Sequence, residues 1–178
     1  MKKLTKAEER EILEQALALG EFISTGSSRA VFGLDETRVL KVAASVAGYN
    51  QNKIETELFA NYGDNGFLAR IHGFSERVTI MDRMEQVLDD YYHEGMEIDE
   101  DRFDEIYDFL NSENGSTSDN EQIGIDTQGN MVAYDYGFIS IYKEGTDYSF
   151  EDLVGNIDSK ISGKYDGDAF GLLRDMLD

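Results

Sequence analysis

A chain of 178 residues with 40% apolar side chains is long enough to close one core, or one two-lobed unit, without staples. It has no cysteine and two histidines, His72 and His93, which excludes a disulfide framework and a thiolate or histidine-rich metal site and leaves oxygen-ligand metal chemistry open. Its formal net charge of -21 is uneven: residues 1–80 carry 10 basic and 11 acidic side chains and residues 81–178 the remaining 6 and 26, a field that disfavours direct nucleic acid binding and attracts basic partners.

In chain order, Thr5 followed by Glu8 makes a capping box. Ile12, Leu13, Ala16, Leu17 and Leu19 then repeat at helical spacing as far as Gly20, which predicts a first helix over residues 6–19. No apolar signal core follows the charged start, and no apolar run approaches the roughly 18 residues of a membrane span, so a soluble, cytoplasmic chain with no membrane partner is expected. From Phe22 the period shortens. Residues 22–23, 30–34 and 39–43 read as three strands of a meander, separated by a polar turn at 24–28 and by Asp35-Glu36-Thr37. A helix then runs from about residue 48 to Tyr62, and residues 67–74 and 77–84 alternate like two more strands, which sums to a five-stranded sheet crossed by one helix.

Beyond Met84 the texture turns helical and acidic. Phe103, Ile106, Tyr107 and Leu110 predict a helix over 99–110, followed by a glycine and serine loop over 111–120. Residues 122–125 and 130–134 form a hairpin pattern around Asp126-Thr-Gln-Gly129. The tail predicts two short helices, 149–161 with Ser149 as N-cap, and 168–177. The units expected are an N-terminal helix over 1–20, a sheet lobe over 21–84 and a reduced acidic lobe over 85–178.

Three residues carry the chemistry. Lys41 is the lone lysine in the apolar run of the strand Arg38-Val-Leu-Lys41-Val-Ala43, Glu55 lies on the following helix, and Asp135 ends the strand Met131-Val-Ala-Tyr-Asp135 ahead of Tyr136-Gly137. A buried lysine needs an anion, and phosphoryl chemistry needs cationic charge near its oxygens. Taken singly, the bland readings are an edge-strand lysine, a solvated helix glutamate and an ordinary turn.

Together, lysine, glutamate and Asp-Tyr-Gly in that order resemble the protein-kinase-like fold. Gly26-Ser-Ser-Arg-Ala-Val-Phe32 followed by Val39-Leu-Lys-Val-Ala43 looks like compact kinase-like proteins of bacterial and phage type, over about residues 21–140. The resemblance implies an α+β protein, with a small antiparallel five-stranded sheet lobe, one crossing helix and a reduced helical C-terminal lobe. It implies ATP and Mg²⁺ as cofactors: Gly26, Ser27, Ser28 and Lys41 at the phosphates, with Arg29 as a further donor, Glu55 (or Glu57) orienting Lys41, and Asp135 and Gln122 at the metal. Met81 to Met84 fall where the family places its adenine-facing hinge.

The chain departs from the pattern in two places. One of the three glycines of the phosphate loop remains, at Gly26, and Arg29 stands at the third. In the catalytic loop Thr117 and Gln122 occupy the aspartate and asparagine positions, which leaves Asp119 as the nearest catalytic base. The expectation is therefore a kinase-like nucleotide-binding protein, either a minimal phosphotransferase or a degenerate pseudokinase. The rival expectation is an acidic interaction or inhibitor protein of the nucleic-acid-mimic type, which uses the fold as a scaffold to bind a basic host protein.

Overall fold

The capping box at Thr5 sets where the first helix begins. Thr5 N–H donates to Glu8 Oε2 at 2.9 Å, and Glu8 N–H returns to Thr5 Oγ1 at 3.3 Å. Helix α1 spans Lys6–Leu19 and stops at Gly20, whose left-handed φ of 68° lets its N–H reach Ala16 O at 3.1 Å. The structure, a computed structural model, describes residues 1–26, 28–88, 98–112, 123–136 and 168–178.

The chain is α+β. Strands β1 (Lys2–Lys3), β2 (Phe22–Thr25), β3 (Arg29–Gly33), β4 (Arg38–Ala43), β5 (Ile71–Phe74) and β6 (Val78–Asp82) form one sheet in the order β1-β5-β6-β4-β3-β2. Helix α2 (Val46–Tyr62), capped by Ser45, follows β4 and packs across β4, β5 and β6. A meander, a crossing helix and two further strands is the arrangement that the resemblance implies. The count differs by one, because Lys2–Lys3 pairs in parallel with the edge of β5. Two exposed lysines show no hydrophobic period, so only the backbone pairing makes them a strand.

The segment expected as one strand over 77–84 divides at Arg83. Val78–Asp82 stays in the first sheet, whereas β7 (Met84–Leu88) leaves it and pairs with β8 (Ile123–Asp126), which pairs with β9 (Met131–Ala133) in a second, three-stranded sheet. Helical texture was expected there, and strand pairing with a distant hairpin overrides it. That hairpin forms around the expected turn: Asp126 Oδ1 accepts from Gln128 N and Asn130 N, both at 2.8 Å, and Gly129 takes φ 83°. Helix α3 (Glu100–Ser112) buries Ile106 and Leu110 against the second sheet.

Period-two alternation on the first sheet builds two cores. Ala30, Phe32, Leu40, Val42, Val78 and Ile80 face Leu13 and Ala16 of α1 and Leu172 and Leu173 of a last helix, α4 (Phe170–Leu177). Val39, Ile71 and Met81 point the other way and pack with the second sheet and α3. The helix expected over 149–161 lies outside the described residues. Among the described residues no helix is long and apolar enough to cross a membrane.

Candidate functional site

The same alternation that sends Leu40 and Val42 towards α1 sends Lys41, between them, to the opposite face. There its Nζ donates to Glu55 Oε1 at 2.9 Å and to Tyr134 O at 2.5 Å. Glu55 is 0% exposed, and a carboxylate that deep is held by cations or not at all. Glu57 is exposed on another face of α2, beside Lys53, and is not the partner of Lys41.

Asp135 reaches the pair from far along the chain. Ala69 N–H donates to Ala133 O at 2.7 Å and Ala133 N–H to Phe67 O at 2.8 Å, which ties β9 to residues 67–69 beneath the first sheet. Tyr136, fully buried, then anchors the turn by donating its hydroxyl to Ala69 O at 3.0 Å, and burial pushes that phenol's pKa well above its ordinary value. Asp135 Oδ1 ends 3.6 Å from Lys41 Nζ.

The structure adds a fourth charge. Arg29, the first residue of β3, is buried, and its Nη2 donates to Asp135 Oδ1 at 2.6 Å and to Glu55 Oε1 at 2.9 Å. Its Nη1 lies 2.7 Å from Glu55 Oε2, too poorly aligned for a hydrogen bond, and donates to Asn52 Oδ1 at 3.3 Å. Two cations and two carboxylates thus form one closed cluster. Burial pushes the Asp135 carboxyl up, but Lys41 and Arg29 outweigh it and hold the group below its ordinary value. Burial opposes the charge on Arg29, and Glu55 and Asp135 more than restore it.

Ser28 is turned inward: its hydroxyl donates to the side-chain oxygen of Gln51 and its carbonyl accepts from Ala44 N at 2.9 Å. Gly26 N–H closes the strand end on Arg29 O at 2.9 Å. Ser27, Thr117, Asp119, Gln122 and Gly137 lie outside the described residues, as does much of the acidic stretch over 85–178. Arg29, expected as a donor in the phosphate loop, is instead buried in the cluster. The signal was on α2, where Gly48, Gln51, Asn52 and Glu55 recur at helical spacing and make a buried polar stripe in need of a partner.

These groups line a cavity of about 430 Å³. Val31, Val39, Met81, Met84 and Val87 make its apolar side, and Arg29, Lys41 and Asp135 its polar end. At the expected hinge, Asp82 N–H donates to Arg70 O at 3.0 Å and Arg83 N–H to Thr37 O at 2.8 Å, so neither donor is open to a bound base. Arg83 also grips Glu21 through two hydrogen bonds of 2.9 and 2.6 Å, which clamps the segment between the sheets.

Of the two residues expected to hold Mg²⁺, Gln122 lies outside the described residues, and Asp135 does not offer the ion a carboxylate free of cations. Its Oδ1 carries the Arg29 guanidinium at 2.6 Å, with a second cation, Lys41, 3.6 Å away. Among the described residues no group of three or more carboxylate or histidine side chains could hold a metal.

No protein-family model matches the chain, and no curated protein matches it. Among solved structures it is similar to the streptomycin–ATP–APH(2")-IIa ternary complex, at 13% identity and a TM-score of 0.44, over 99% of this chain and 91% of that one.

Proposed function

We propose that the chain is a kinase-like nucleotide-binding protein, with the base against the apolar side of the cavity and the phosphates at Lys41. One observation carries the reading: a strand lysine, oriented by a buried helix glutamate at 2.9 Å and set beside Asp135, stands at the polar end of a cleft otherwise lined by Val31, Val39 and Met81. That combination of an apolar slot and a few convergent charges is what a nucleotide needs. Lys41 is the phosphate contact, Glu55 positions it, and Asp135 completes the charge set. The reading concerns binding, and for any phosphoryl transfer Asp119 is the base offered by the sequence.

Calorimetric titration with ATP and ADP tests it. Saturable binding is expected in the native chain, weakened about 10- to 100-fold in Lys41→Ala, the loss of a charge-assisted hydrogen bond of about 1.5–3 kcal/mol. Arg29 still pairs with Glu55 in that variant, so the buried carboxylate keeps a counter-ion and the fold survives. No heat at millimolar nucleotide, or equal affinity in native and variant, would sink the reading.

A further inference from the structure

One oxygen of the carboxylate expected to hold the metal, Asp135 Oδ1, is occupied by the chain itself. Arg29 stands where the kinase-like pattern has its third glycine, the residue whose lack of a side chain lets the backbone approach phosphate. Here that position projects a guanidinium inward across the cluster, to Asp135 Oδ1 at 2.6 Å and to Glu55 at 2.9 Å. A guanidinium does not deprotonate in a protein, so this is a permanent positive charge. Mg²⁺ demands oxygen ligands at roughly 2.0–2.1 Å in near-ideal octahedral geometry, and at Asp135 it would meet a carboxylate whose Oδ1 already carries Arg29, with Lys41 3.6 Å away, so it would be set against two cations. Arg29 is also held in place by the fully buried Glu55, which pairs with it and with Lys41.

We infer that Arg29 is a built-in cation that replaces the divalent metal at Asp135, so that this pocket binds nucleotide without Mg²⁺. The inference rests on the nucleotide reading for its ligand but not for its geometry. Arg29 is among the residues lining the cavity, and with both Nη atoms on Asp135, Glu55 and Asn52 it takes over one task of the missing ion: it neutralises Asp135. Glu55 and Asp135 cancel the charges of Lys41 and Arg29 pairwise. A metal brought in with the nucleotide therefore finds no uncompensated carboxylate among the described residues of the cluster.

Two measurements on the full chain separate the possibilities. The first uses Mn²⁺ alone as probe, followed by electron paramagnetic resonance, and needs no nucleotide. Native protein and Asp135→Asn are expected to bind Mn²⁺ identically, since Asp135 holds none, whatever the acidic surface binds elsewhere. Arg29→Gln is expected to bind one Mn²⁺ more than the native chain, lost again in the double variant with Asp135→Asn. A native chain that binds one Mn²⁺ more than Asp135→Asn overturns the inference, as does a folded Arg29→Gln that gains none. Should Arg29→Gln fail to fold, the comparison of native with Asp135→Asn still decides.

The second measurement titrates ATP with Mg²⁺ and with EDTA. Affinities within about threefold of each other, a difference under roughly 0.7 kcal/mol, are expected for the native chain. Binding that collapses in EDTA leaves the nucleotide reading standing and removes this one. Silence in both titrations removes the nucleotide reading, while the Mn²⁺ comparison still judges Arg29.

Discussion

Asp135 shows how one residue is set by charges far from it in sequence. Its partner Arg29 lies 106 positions earlier, and together with Lys41 it keeps the carboxylate ionised despite burial around the turn. The sign of the pH dependence follows. A carboxyl depressed in the folded state stabilises the fold fully above its ordinary value of 3.8 and loses that contribution as pH falls through the lower folded value. Thermal melts of native protein and Asp135→Asn should therefore differ by a constant amount at neutral pH and converge below about pH 4, with native the more stable. A difference that grows on acidification would overturn the assignment. Lys41, Glu55 and Asp135 were legible as candidates because each stands out from its own local pattern. The role of Arg29 was not, because a buried arginine and a loop arginine look the same until the second carboxylate arrives.

At the scale of elements, α2 matters through its first turn. A Cβ built on Gly48 would sit 2.4 Å from Ser28 O and 3.0 Å from Ala43 Cα, so only glycine lets the helix come this close to the end of β3. Helix propensity favours alanine over glycine by about 1 kcal/mol, but a collision with backbone has no flexible group to give way. Gly48→Ala should thus destabilise the protein by about 1–3 kcal/mol and lower its melting temperature; a raised one would show that the residue 26–29 loop yields. Elements with local signals were readable: α1 from its capping box and αL stop, and the β8–β9 hairpin from the Asp126 turn. Strands β1 and β7 were not, since two lysines and a Met-Glu-Gln-Val-Leu run become strands only through pairing with β5 and β8.

The whole molecule carries a formal charge of -21, and self-repulsion of that size opposes the compact state. Salt should relieve it. Raising NaCl from about 0.02 M to about 0.5 M shortens the Debye length from roughly 20 Å to about 4 Å and is expected to raise the melting temperature. A temperature that stays flat or falls would mean that the charges are paired locally rather than repelling at distance. Arg29, Lys41 and Glu55 are buried and screened much less than the surface, so nucleotide affinity should change little over the same range.

The sequence by itself determined the periodic parts of this protein: the stripe of α1, the alternating faces of β3, β4 and β6, and the lone lysine that alternation turns away from α1. These follow from side-chain period and local hydrogen bonding, which a chain carries wherever it goes. Tertiary structure decided what meets what. It returned α4 to the face of α1, split residues 77–88 between two sheets, and brought Arg29 to Asp135. Long-range pairing and the need of a buried carboxylate for a cation depend on distances that no local pattern encodes.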